Sequence, residues 1–140
     1  MSMYITLPCS ASKTEFPANS RGKFTTLLAQ EVYLPGSWDV GLCEIFLPVP
    51  KVESKFDIVY IYCDLVEYSY VGDTMVPGLR TVSLPNKNKI TVQRYDNVHY
   101  MPLQSNRFTT IEISIAGDLG EIIEFKEGLT IVKLHFRPRK

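Results

Sequence analysis

The chain has 140 residues, enough for one domain that buries roughly two thirds of the surface its unfolded form exposes, so folding requires neither disulfide nor metal. Its 15 Lys and Arg balance 15 Asp and Glu, and zero formal net charge excludes a field steering the whole molecule to nucleic acid or an anionic membrane. Three cysteines, Cys9, Cys43 and Cys63, are an odd number without Cys-x-x-Cys spacing, which argues against a disulfide framework or zinc knuckle and fits a reducing compartment.

Tyr4 to Leu7 reads as a first strand, followed by a long polar loop through Cys9-Ser10-Ala11-Ser12 and Phe16-Pro17-Ala18-Asn19-Ser20-Arg21-Gly22. Phe24 to Leu34 places helix-compatible Leu27-Leu28-Ala29-Gln30-Glu31 between two strand-forming ends, and is expected as a strand with an irregularity, closed by the turn Pro35-Gly36. Trp38 to Leu47 sets Trp38, Val40, Leu42 and Phe46 on one face, with Asp39, Gly41, Cys43, Ile45 and Leu47 opposite. Its second half is apolar on both sides, so an interior strand is implied, with Trp38, Leu42 and Phe46 in the core. Pro48 and Pro50 end it.

Ile58 to Val66 follows, with Val59, Ile61, Cys63 and Leu65 inward. After Val71-Gly72-Asp73, the stretch Thr74 to Ser83 turns at Val76-Pro77-Gly78 before a short strand. The polar turn Asn86-Lys87-Asn88-Lys89 leads into Ile90 to Tyr95, and Asp96-Asn97 separates this from His99 to Leu103 in a hairpin-like arrangement. Phe108 to Ile115 alternates most cleanly and contributes Ile111 and Ile113 to the core. Gly117-Asp118-Leu119-Gly120 is a turn, Ile122 to Phe125 a short strand, and Leu129 to Phe136 the last one. Eight to ten strands, no convincing helix, no internal repeat and no dividing linker predict one all-β domain over residues 1–140, a sandwich or barrel.

Catalytic and metal constellations are missing from the pattern. His99 and His135 are the two histidines and form no metal-binding spacing; no Gly-x-Ser-x-Gly elbow, Walker loop or Gly-x-Gly-x-x-Gly occurs. The acids Asp64, Glu67, Asp73, Glu112, Asp118, Glu121 and Glu124 alternate with apolar residues or sit in turns, as solvated strand faces and turn formers do. The expectation is therefore a non-enzymatic protein without metal, cofactor, small-molecule substrate or specific nucleic acid. Tyr60, Tyr62, Tyr68 and Tyr70 fall at even spacing and are candidates for one sheet face. The start of the chain lacks the basic and apolar regions of a signal peptide, and no apolar run approaches about 18 residues, so the chain is expected to be made as a soluble intracellular protein without a membrane span.

Several short motifs occur in a telling order. They are Thr6-Leu7-Pro8, Phe16-Pro17-x-Asn19, Phe24-Thr25-Thr26, and Leu34-x-Gly36-x-Trp38-Asp39-Val40-Gly41-Leu42-x-Glu44-Ile45. Later come Cys63-Asp64-Leu65-Val66, Val71-Gly72-Asp73-Thr74, Leu79-Arg80, His99-Tyr100-x-Pro102, Thr110-Ile111-Glu112-Ile113, Gly117-Asp118-x-Gly120 and Leu134-His135-Phe136-Arg137. In this order the chain resembles the minor capsid, or penton, proteins of Polinton (Maverick) elements and the related adintoviruses. It departs from the family pattern at Ser114-Ile115-Ala116, where the family carries more charge before the turn.

The resemblance implies a single jelly roll of eight antiparallel strands, assembling as a homopentamer at icosahedral vertices of a virion beside a double-jelly-roll major capsid protein, with no catalytic residue. A cyclic ring needs two different patches per subunit. Loops at the ends of a sandwich are expected to supply them, here Phe16-Pro17 and Thr74-Met75-Val76-Pro77. The alternatives are a lectin-like sandwich that recognises a glycan or host protein, and a jelly-roll enzyme, against which the missing His and Glu ligand spacing counts.

Overall fold

Strand formation follows the β-branched and aromatic runs, and the computed structural model, which describes residues 2–51, 57–86 and 88–139, contains no helix among them. The strands are β1 (Met3–Pro8), β2 (Lys23–Tyr33), β3 (Trp38–Leu47), β4 (Ile58–Cys63), β5 (Ser69–Val71), β6 (Thr74–Val76), β7 (Gly78–Ser83), β8 (Thr91–Arg94), β9 (Tyr100–Pro102), β10 (Arg107–Ala116) and β11 (Ile131–Pro138). Lys87 of the expected Asn86–Lys89 turn lies outside the described residues.

Two antiparallel sheets carry the architecture. One has the order β1-β11-β3-β8 with β9 also on β3, the other β2-β10-β4-β7, and β5-β6 is a separate hairpin turning at Gly72, whose φ is 63°. The inward residues of both sheets join in one cluster that includes Leu7, Phe24, Trp38, Leu42, Ile61, Ile111, Ile113, Leu134 and Phe136. Phe108 and Phe136, one from each sheet, lie with ring centroids 5.8 Å apart and tie the layers together. The Trp38 indole N–H donates to the Pro35 carbonyl at 2.9 Å, which lets a polar atom sit at the rim of the core.

Phe46 is not in that core. Its expected position on the Leu42 face fails because Lys133 pairs with Glu44 while Leu134 pairs with Leu42, leaving Cys43 as an extra residue in β3. The bulge shifts the side-chain phase, so Ile45 and Leu47 turn inward and Phe46 turns out. The Cys43 thiol donates to the Lys133 carbonyl at 3.3 Å, occupying the gap.

Two other expected elements also differ. β8 and β9 do not form a hairpin: β8 pairs with the second half of β3 and β9 with the first, so they are one strand interrupted by Tyr95–His99. Ile122 to Phe125 forms isolated bridges, Ile122 to Ala116 and Phe125 to Pro50, rather than a strand, although Ile123 and Phe125 are buried. The expected irregularity in β2 is present between the Val32 and Leu27 pairings with β10.

The sheet edges are treated unequally. The 9–22 loop covers the outer edge of β2: Asn19 is buried, donates to the Thr25 carbonyl at 2.8 Å and accepts the Thr25 N–H at 2.9 Å, while the Ser12 hydroxyl accepts the Leu27 N–H at 2.9 Å. Side chains thus take the place of a neighbouring strand. Across the molecule, Arg80 of β7 reaches the β8–β9 interruption, donating to the Asn97 carbonyl at 3.0 Å with its guanidinium 3.5 Å from the Tyr95 ring centre. Beyond the end of β4, Asp64 prolongs the pairing with β10, its N–H donating to the Glu112 carbonyl and its carboxylate accepting the Glu112 N–H at 2.9 Å.

Candidate interaction surfaces

The two loops singled out in the sequence lie at opposite edges of the β2-β10-β4-β7 sheet. Phe16 is half-buried in the loop fixed to β2, its N–H donating to the Ser12 carbonyl at 2.9 Å, and Pro17 is exposed. Thr74 and Met75 are exposed and Val76 half-buried on β6, and half-buried Pro77 leads into β7, its carbonyl accepting the Cys63 N–H at 3.0 Å. Both are surface segments, and nothing in the fold joins them into one patch.

The even-spaced tyrosines do not share a face. Tyr60 and Tyr62 stand on the outer side of β4, whereas the chain leaves the sheet after Asp64 and places Tyr70 on the β5-β6 hairpin, 73% exposed. Ser69 and Val71 face Tyr60, Tyr62 and Gly78 across a cleft of about 190 Å³. That is smaller than the roughly 300 Å³ at which small-molecule sites begin.

Thiols and carboxylates do not assemble into a site either. Among the described residues, no three His, Cys, Asp or Glu side chains group as metal ligands would. Burial pushes the Cys63 thiol up to about 12, so it remains protonated; burial likewise raises Cys43, and raises Asp64 against the opposing Glu112 N–H hydrogen bond. His99 is exposed in the β8–β9 interruption, where the backbone of His99 and the Val98 side chain cover Gly41. A Cβ at Gly41 would lie 2.7 Å from the His99 carbonyl oxygen, so only glycine lets that segment cross the sheet.

The outer face of the β1-β11-β3 sheet carries a more organised arrangement. The register lays down four cross-strand rows: Pro8, Ile131, Phe46 and Val92; Thr6, Lys133, Glu44 and Arg94; Tyr4, His135, Gly41 and Tyr100; and Arg137, Asp39 and Pro102. The Tyr100 hydroxyl is 2.8 Å from His135 Nδ1, and Tyr4 lies on the other side of the imidazole with centroids 4.6 Å apart. The Arg137 guanidinium sits 3.5 Å from the Tyr100 ring centre, and Lys133 Nζ 4.9 Å from that of Tyr4. Three rings are thereby held between two cations.

Desolvation, and then Arg137, lower the His135 pKa, which favours the neutral ring within this stack. Both carboxylates of β3 on the face are already engaged, Glu44 by Arg94 at 3.4 Å and Asp39 by Arg139 at 2.9 Å. Lys133 and Arg137 stand opposite these two acids in the register but form no ion pair among the described residues. The signal in the sequence for this stack is Lys133, His135 and Arg137 at every second position of the last strand, which puts all three on one side.

A second exposed feature is the turn after β10. Gly120 donates to the Gly117 carbonyl at 3.0 Å with φ at 81°, and the Leu119 between them is 88% exposed, flanked by exposed Asp118 and Glu121. Glu121 accepts the Leu119 N–H at 3.3 Å. No protein-family model matches the chain, and no curated protein matches it. No helix among the described residues is long and apolar enough to cross a membrane.

Proposed function

We propose that the chain is a single jelly roll acting as a capsid vertex protein, five copies closing a ring that docks against a double-jelly-roll major capsid protein in the virion. The strand pairing is the observation that carries this reading. With β8 and β9 counted as one strand and β5-β6 set aside, the first main strand pairs with the eighth, the second with the seventh, the third with the sixth and the fourth with the fifth. One long hairpin rolled across two sheets has this pairing, and it is the architecture of capsid and lectin jelly rolls.

A fold hosts many functions, so the vertex role rests further on the ordered motifs that resemble the penton family. Their longest block, Leu34 to Ile45, spans the turn at Gly36, the packed Trp38 and the close crossing at Gly41.

Size-exclusion chromatography with light scattering tests the reading directly. The expected result is a species of five 15.9 kDa chains that joins particles on co-expression with the major capsid protein. A protein that stays monomeric at high micromolar concentration and is left out of particles would remove the vertex reading and promote a lectin-like binding module.

A further inference from the structure

A closed ring requires that each subunit present two unlike patches that fit one another. Two surfaces among the described residues make such a pair. The Asp118-Leu119-Gly120-Glu121 turn is an exposed leucine between two acids, with Glu124 a third acid nearby and no basic residue from 117 to 125. The outer face of the β1-β11-β3 sheet is a ring platform, Tyr4 and His135, between two cations that form no ion pair among the described residues. Tyr4 is 60% exposed, so the platform is open to a neighbour.

We infer that the 118–121 turn of one copy seats on the Lys133, His135 and Arg137 face of the next, Leu119 covering the Tyr4 and His135 rings and one carboxylate reaching each cation. Lys133 and Arg137 each stand two residues from His135 along β11, about 7 Å to either side. Lys133 and Arg137 are thus about 14 Å apart at the backbone, a β-turn is less than about 7 Å across its ends, and the long Lys133 and Arg137 side chains, which lean over Tyr4 and Tyr100, span the difference to the acids on either side of Leu119. The contact brings acids to two cations that form no ion pair among the described residues, and removes from water the most exposed large apolar side chain among those residues. This inference rests on the ring reading and names the surfaces that close it.

Charge reversal on each side, and on both together, tests it. Light scattering of Asp118→Lys with Glu121→Lys, and separately of Lys133→Glu with Arg137→Glu, is expected to show monomers with circular dichroism like wild type. The fourfold variant restores opposite charges and is expected to regain the ring. Leu119→Ser alters a side chain outside the core, so it remains informative if a double variant misfolds; it is expected to weaken association about 10- to 100-fold.

Rings that persist in both double variants, or an association unchanged by Leu119→Ser, would overturn this contact while leaving the pentamer intact. Folded double variants whose fourfold combination stays monomeric would also overturn it. A wild-type chain that never associates would remove the ring reading and this contact together.

Discussion

Thr26 is the one polar side chain whose oxygen is buried without a hydrogen-bond partner among the described residues. Leaving a buried hydroxyl unpaired costs about 1–3 kcal/mol, and valine has nearly the same shape without that cost. Thr26→Val should therefore raise stability by about 1 kcal/mol and the melting temperature by about 3 °C, read by calorimetry. His135 makes a prediction in pH. Because desolvation and Arg137 hold its folded pKa below the ordinary 6.5, the folded state binds fewer protons than the unfolded chain as pH falls through that value. Its contribution is complete above 6.5 and is lost toward the lower folded pKa. Urea midpoints should fall between pH 7 and pH 5.5, above the main carboxylate titrations, and His135→Gln should flatten that slope.

At the scale of elements, Asn19 substitutes for a missing strand along β2. Asn19→Ala would strip both the N–H and the carbonyl of Thr25 of their partners, costing about 1–3 kcal/mol, and would expose an edge able to pair with another chain. Denaturant titration should read the first effect and light scattering during mild heating the second. Elements set by local alternation were legible beforehand: Phe108 to Ile115 and the inward set Val59, Ile61 and Cys63 follow from period two alone. Phe46 was misplaced because one unpaired residue, Cys43, inverts the phase, and that bulge is defined by the opposing β11 rather than by β3's own sequence. The same non-local cause made β8 and β9 look like a hairpin, although β3 pairs with both. The outer-face stack was illegible for a related reason, since Tyr4, Tyr100 and His135 meet only through the register of four strands.

For the whole molecule, the rolled pairing joins the most distant parts of the chain, Met3 beside Phe136 and Leu7 beside Val132. Closing so long a loop precedes any reward from the contacts it makes, so refolding should fall in the milliseconds-to-seconds range of non-local β proteins. The β1-β11 pair should form late. Leu7→Ala, at a fully packed position, should cost about 2–5 kcal/mol. In stopped-flow measurements that loss should appear mainly as faster unfolding; a matching slowdown in folding would place β1 in the nucleus instead. The pairing also imposes an order in time on a ribosome. Of the described strands, β1 is made well before its partner β11, and at about 5–20 residues per second that leaves it waiting on the order of ten seconds. Throughout that interval Met3 to Leu7, a stretch without a single charge, is an unpaired strand in a crowded solution. The β1-β11 pairing thus gives the chain an interval during translation in which β1 is made and its partner is not.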